Sequence, residues 1–224
     1  MDWQAVGLSL RLAALTTAIL VALGLPLAWW MASTRWRWKF LVESVVALPI
    51  VLPPTVLGFY VLVAIGPRSP LGQAYEALFG SRLPFSFQGL LLASVLYSMP
   101  FALQPFAAAL STVDRRLLEA SWCLGAGRLR TFARVALPLA WPGVLTGMVL
   151  SFAHTVGEFG VVLMIGGNLP GATRTISISI YDSVEAMDYT SAAQTSLVML
   201  IFSFVVLATT YALQRRFVQV WMSR

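Results

Sequence analysis

Five apolar runs set the limits on this chain, at about Val6 to Ala32, Phe40 to Ile65, Gly89 to Leu110, Val135 to Ile165 and Ser196 to Leu213. Each is close to or beyond the roughly twenty residues a helix needs to cross a bilayer. A backbone inside hydrocarbon must pair its own N–H and C=O groups, so such runs specify helices and not an open sheet. The composition excludes a water-covered fold: 58% of the residues are apolar, 11% are charged and mean hydropathy is +0.80. A soluble surface cannot be built from that mixture.

We therefore read an all-α polytopic membrane protein, one transmembrane domain over residues 1–224 with about five spans. The fourth run exceeds one crossing and holds Gly157, Gly160, Gly166 and Gly167, so it is either a kinked helix or a span followed by a re-entrant piece. Six spans would need one run to be split or such a piece to be counted. Asp2 stands where a cleavable signal would carry basic residues, so the first run is expected to be retained. Cys123 is the single cysteine, which leaves no intramolecular disulfide and no cysteine-based zinc cluster. With few helices to enclose a pore alone, a homodimer is the natural assembly.

Prolines interrupt two runs. Pro49, Pro53 and Pro54 in ALPIVLPPTVLGFY remove backbone donors and crowd the preceding turn, so the second run must bend or break. Pro100 and Pro105 in YSMPFALQPF are expected to act likewise on the third, where Gln104 adds a polar group that must face protein or a cavity. Two readings stand for Pro53, Pro54 and Gln104: a kink filled by neighbouring helices, or irregular backbone lining a translocation path. His154 and Glu158 are the ionisable pair deep in the fourth run, and i, i+4 spacing in an unbroken helix would put both on one face. A proton relay and an internal hydrogen-bonding role are both compatible with that spacing. Glu158 is a further candidate lining residue.

Charge gives an orientation. Arg35, Arg37, Lys39, Arg115, Arg116, Arg128, Arg130, Arg134, Arg215, Arg216 and Arg224 share one side of a five-span map, which is then cytoplasmic. The other side holds Arg11, Arg68, Arg82 and Arg174, with Asp2, Glu76, Asp182, Glu185 and Asp188. The net charge of +6 is topological on this reading and does not point to nucleic acid. The N-terminus is expected outside and the C-terminus inside. Trp29, Trp30, Trp36 and Trp38 cluster at the cytoplasmic end of the first span as interfacial anchors. The outward loop from Gly166 to Asp188 connects two spans and could meet a delivering protein, and Arg174 alone is too unspecific to make an anion site.

Between the third and fourth runs lies a polar stretch, EASWCLGAGRLRTFARVALP, from Glu119 to Pro138. Ser111 and Asp114 form an S-x-x-D pattern, which starts a helix near Thr112 with Val113, Leu117, Ala120 and Leu124 on one face. Gly125 and Gly127 permit a turn before Leu129, Phe132, Ala133 and Ala136 set up a second amphipathic face. Pro138 falls near the first turn of the next span. Paired amphipathic faces at a membrane surface suggest docking to a partner, over about residues 111–134.

The order Glu119, Ala120, Ser121, then Gly125, then Val135, Leu137 and Pro138 resembles the signature loop of bacterial ABC importer permeases, with Ser121 in place of the usual second alanine. The resemblance implies that these residues, with Gly127 at the hinge, form a coupling helix that inserts into a cytoplasmic ATPase subunit. The GEFG element at Glu158 and the GGN-x-PG-x-TRT element that follows resemble the molybdate branch of the family, with the sulfate/thiosulfate branch close beside it and tungstate a related cargo. The likeness extends from about Leu48 to the C-terminus. It implies a type I importer permease of the bacterial or archaeal cytoplasmic membrane, a homodimer with two ATPase subunits and a periplasmic or surface-tethered oxyanion-binding protein. It also implies alternating access driven by ATP. ATP and magnesium would belong to the partner; no cofactor, metal or catalytic residue is expected in this chain, and no phosphate loop or Ser-His-Asp order argues otherwise. An ATPase-independent carrier using His154 and Glu158 is the rival of another class.

Overall fold

Adjacent prolines decide how the second apolar run is built. Leu52 precedes Pro53 and Pro53 precedes Pro54, and each pre-proline residue is pushed out of the helical region; both sit extended, at ψ 134° and 136°. In the computed structural model, which describes the backbone of residues 2–222 and the side chains of residues 2–212, the run accordingly splits into α2 (Lys39–Val51) and α3 (Pro54–Ile65). Their axes differ by 114°. Before them comes α1 (Trp3–Ser33), and after them the short α4 (Pro70–Phe79).

The third run forms α5 (Phe87–Ser111), and here Pro100 and Pro105 do not break the helix as expected. They stand singly, five positions apart, and Pro100 is buried on a helix that packs between α1 and α8. Packing against neighbours on both sides outweighs the lost backbone bonds. The polar stretch gives α6 (Arg115–Cys123) and α7 (Arg128–Thr131); a π-helical turn, Phe132–Ala136, then joins α7 to α8 (Leu137–Gly157). The fourth span thus begins at Arg128, ahead of the expected Val135, and runs without a break to Gly157.

Of the two readings of the fourth run, the structure takes the second. Helix α8 stops at Gly157, Glu158 is extended at ψ 135°, and α9 (Gly160–Gly166) restarts as a separate piece. It packs against α3 and α5 through Val161 and Ile165, which meet Leu57, Val61 and Ala93. Then follow α10 (Ile176–Glu185) and α11 (Tyr189–Met222). Among the described residues no strand is present, and four helical stretches are long and apolar enough to cross a membrane: α1, α5, Arg128–Gly157 and Tyr189–Ala212. Counting the broken α2–α3 pair as one crossing makes five. The side chains of Arg215, Arg216 and Arg224 lie outside the described residues.

The bundle is centred on α5, which lies between α1 and α8. Its contact with α8 is close because α8 carries Gly143 and Gly147, a small-xxx-small pair. A β-carbon on Gly147 would stand 2.8 Å from the carbonyl oxygen of Ala102 and 2.6 Å from the Phe106 ring. Around this crossing Leu103, Phe106, Leu110, Val144 and Ala140 form a core with Leu20, Leu25 and Ala28 of α1. That core continues to Val113, Leu118 and Phe132, so the polar hinge is rooted in the membrane bundle.

The two ends of the bundle are chemically distinct. At one, Asp2 caps α1 and reaches Arg174 at 3.9 Å, Ser9 accepts from the Ile176 N–H at 2.8 Å, and Arg11 lies over Phe87. At the other, the last turns of α1 meet α6 and α7.

Gly147→Leu is expected to disrupt the α5–α8 crossing, because overpacking a closed contact costs about 1–3 kcal/mol or more. Gly157→Ala, where a β-carbon meets nothing within 4 Å, should be neutral. Thermal stability of the two purified variants in detergent measures the difference.

Candidate functional site

Helix α6 is bounded at both ends by its own sequence. Asp114 caps it, its Oδ1 accepting from the Arg116 N–H at 2.9 Å. The S-x-x-D pattern does not operate as expected: Ser111 still belongs to α5 and donates to the Ala108 carbonyl at 2.7 Å, so α6 starts at Arg115 and not near Thr112. At the other end the Gly125 N–H donates to Trp122 and the Ala126 N–H to Ser121, at 2.9 and 3.0 Å. This pair of bonds is a Schellman stop, and it needs a left-handed residue at Gly125, found at φ 80°. Gly127, at φ −71°, needs no glycine freedom.

The two arms of the hinge are then pinned by a hydroxyl pair. Ser121 Oγ lies 2.7 Å from Thr131 Oγ1 and donates its own proton to the Leu118 carbonyl at 2.8 Å, so Thr131 must be the donor between them. Thr131 is fully buried. Below this pair, Leu118 and Phe132 enter the core, and the Phe132 ring sits 5.4 Å from that of Trp29. Val135 and Leu137 are half-buried along the π turn and the start of α8, while Pro138 is exposed. A widened turn immediately before Pro138 gives its ring room that a regular α turn would deny.

The opposite side of the hinge is bare. Glu119, Ala120 and Cys123 are exposed, as are Leu117 at 48%, Trp122 at 47%, Leu124 at 88% and Leu129 at 80%. The expected stripe of Val113, Leu117, Ala120 and Leu124 is thus not one buried face: Val113 lies inside, ahead of the helix, and the inward contact runs through Leu118 and Ser121. Glu119 has no ion pair among the described residues. Large apolar side chains thus surround an unpaired carboxylate in one exposed patch at the end of the bundle.

The remaining candidates lie elsewhere. Pro53 and Pro54 are exposed at the α2–α3 break, and Gln104 is exposed on α5. Glu158 is buried and separated from the hinge by the length of α8, about 30 Å. Its Oε2 accepts from Ser94 at 3.1 Å, and its Oε1 has no partner. His154 stacks on Phe101 with ring centroids 3.9 Å apart and lies 4.9 Å from the Tyr97 ring. Helix α8 ends at Gly157 with Glu158 as its cap, and both side chains meet α5, Glu158 at Ser94 and His154 at Tyr97 and Phe101. Arg174 is engaged by Asp182 at 3.3 Å, with Asn168 donating to the same carboxylate at 2.9 Å. Its work is to hold the loop to the start of α1. Nearby, hydrogen bonds from Ser191 hold the Asp188 carboxyl below its ordinary range. Among the described residues no group of three or more His, Cys, Asp or Glu could hold a metal.

Two features of the site were not anticipated from sequence. The Ser121–Thr131 pair spans ten positions across a turn, and no periodic pattern reports it. The Gly143–Gly147 spacing was legible but was passed over.

Residues 24–219, which include the whole hinge, match the model of the family described as binding-protein-dependent transport system inner membrane component. The chain belongs to that family. The molybdenum transport system permease protein ModB of Azotobacter vinelandii is 52% identical over 214 residues, 96% of this chain and 95% of the relative. The protein of the same name in Escherichia coli K12 is 39% identical over 184 residues, 82% of this chain and 80% of the relative. A probable sulfate transport system permease, cysT of Chlorella vulgaris, is 34% identical over 191 residues, covering 85% of this chain and 71% of its own. The MetNI methionine ABC transporter, solved in inward-facing conformations, superposes with a TM-score of 0.74 at 17% identity, over 96% of this chain and 95% of that one. A bacterial alginate ABC transporter bound to its periplasmic protein gives 0.76 at 17%, covering 96% of this chain and 78% of that one. The fold is that of the ABC importer permeases, an inner-membrane component with several spanning helices.

Ser121→Ala should cost more than the double change Ser121→Ala with Thr131→Val. The single variant strands the buried Thr131 hydroxyl, a penalty of about 1–3 kcal/mol, whereas the pair removes donor and acceptor together. A double-mutant cycle on thermal stability of the purified permease checks the order.

Proposed function

We propose that this chain is the membrane-spanning subunit of an ATP-driven molybdate importer. It acts as a homodimer that docks two cytoplasmic ATPase subunits through α6 and α7 and accepts oxyanion from a periplasmic or surface-tethered binding protein. The observation that carries this reading is the exposed, rigidly rooted α6 surface, with Glu119 unpaired and Leu124 open, in a chain of the binding-protein-dependent permease family. Molybdate is favoured over sulfate by the 52% identity to a molybdenum permease against 34% to a sulfate permease. No catalytic group is needed here, since hydrolysis resides in the partner.

The geometry offers a route for work. Closure of the ATPase pair on ATP would move α6 as a unit, because the Schellman stop and the Ser121–Thr131 pair prevent it from swivelling freely on α7. Thr131 belongs to the same unbroken helical stretch as α8, and α8 is locked to α5 at Gly147. Displacement at the hinge is thereby delivered to the centre of the bundle, where ATP binding biases an equilibrium between inward-open and outward-open arrangements. Gln104, exposed on a membrane span, requires a polar or protein environment, which a second copy and the path between copies would provide. Pro53 and Pro54 at the α2–α3 break are proposed to line the same path.

The orientation is part of this proposal. Arg35, Arg37, Lys39, Arg115, Arg116, Arg128, Arg130 and Arg134 gather at the hinge end, and Asp2, Asp182, Glu185 and Asp188 at the other, which supports a cytoplasmic hinge and an outward N-terminus.

Three outcomes are expected. Cells lacking their own molybdate and sulfate importers, given this chain with its cognate ATPase and binding protein, should take up labelled molybdate, blocked by tungstate and not by excess sulfate. Ready block by sulfate would move the chain to the sulfate branch, and uptake without the ATPase would overturn the proposal. Glu119→Lys should lower uptake about tenfold or more while leaving thermal stability unchanged, as charge reversal at a docking surface does. Cys123, exposed and the only cysteine in the chain, should resist a membrane-impermeant maleimide in spheroplasts, react in inverted vesicles, and be protected there by bound ATPase.

A further inference from the structure

Behind the hinge lies a recess of about 990 Å³ between the last turns of α1 and the α6–α7 corner. Its size is at the upper end of small-molecule sites. Three indoles line it, Trp29, Trp30 and Trp122, and three guanidinium side chains share the wall, Arg35, Arg115 and Arg128. None of these arginines has an ion pair among the described residues, although Asp114 and Glu119 are close in sequence. The Asp114 carboxylate is committed to the α6 cap. Glu119, Cys123 and Leu124 do not line the recess, whereas Trp122 and Leu129 of the exposed face do, so the recess and the outer surface of α6 share those two side chains.

The geometry points to a binding site for one anionic phospholipid of the cytoplasmic leaflet. Tryptophan rings at the end of a span lie at headgroup depth, and the recess continues there into apolar wall from α1 and α5. Acyl chains fit that wall, and the phosphate meets three unpaired arginines, whose planar forks suit phosphate oxygens. Basic pockets between spans on the cytoplasmic side hold anionic headgroups by the same chemistry. A soluble anion would use the guanidinium groups and leave the indole wall unfilled. A bound lipid would wedge α1 against the hinge and so stiffen the path from α6 to the core through Trp29 and Phe132. The inference rests on the proposed cytoplasmic placement of this end.

Native mass spectrometry of the purified permease, alone and with its ATPase, reads the site directly. Phosphatidylglycerol and phosphatidylcholine of identical acyl chains are added in turn to the detergent-solubilised protein. The wild type should retain phosphatidylglycerol on the order of tenfold or more over phosphatidylcholine. Arg35→Gln with Arg115→Gln and Arg128→Gln should abolish that preference, whereas Arg130→Gln with Arg134→Gln, on arginines outside the recess, should keep it. Equal retention of the two lipids by the wild type overturns the inference without any variant. So does a preference unchanged in the triple variant, or displacement of phosphatidylglycerol by millimolar inorganic phosphate, which would make the site one for soluble anions. Failure of the ATPase to co-purify would count against the importer reading alone, because the lipid ratio is also measured on the permease by itself.

Discussion

Helix α8 lies so close to α5 that a β-carbon would collide with the Ala109 side chain at Gly143, and with the Ala102 carbonyl and the Phe106 ring at Gly147. In hydrocarbon no hydrophobic force drives helices together, since lipid tails are as apolar as the side chains; close van der Waals packing has to do it. The absence of side chains at these two positions permits that packing. Leu103, Phe106 and Val144 fill the space around the crossing, α1 closes over it with Leu20, Leu25 and Ala28, and the hinge residues Leu118 and Phe132 find a fixed core to enter.

Rigidity at one end contrasts with interruption at the other. The hinge is held by a Schellman stop, a hydroxyl pair and a π turn, all within seventeen residues of a continuous path into α8. Towards the far end of α8 the backbone breaks at Glu158, and α3 and α9 are short pieces facing one another through Val61 and Val161. At the break the Glu158 side chain is buried and accepts from Ser94 of α5. The path from α6 therefore runs through continuous helix first and jointed helix last.

Much of the fold was legible because membranes make sequence unusually literal. A backbone with no water to bond must be helical, and length then gives the number of crossings. Gly125 was readable as a turn since its left-handed conformation excludes most other residues. The exposed side of α6 was less legible: amphipathic periodicity in Val113, Leu117, Ala120 and Leu124 indicated a face, yet a nine-residue helix with both ends tied turns its face according to those ties. The Pro53–Pro54 doublet breaks its helix because each residue before a proline is itself constrained, whereas Pro100 and Pro105 are absorbed by neighbours that sequence cannot count.

The sequence by itself determined the solvent, the helical class, the approximate spans and the turn at Gly125, because these follow from local composition and from residues whose backbone chemistry allows one answer. The tertiary structure decided which faces pair. Ser121 and Thr131, ten positions apart, share a proton only because a turn brings them together. His154 and Glu158, four apart, meet different partners on α5, a ring stack for one and the Ser94 hydroxyl for the other. Trp29, Arg35, Arg115 and Arg128 come from segments some eighty residues or more apart, and they form one recess only once α1 has packed beside α5. Such contacts are set by the summed packing of distant segments, and no local pattern records that sum.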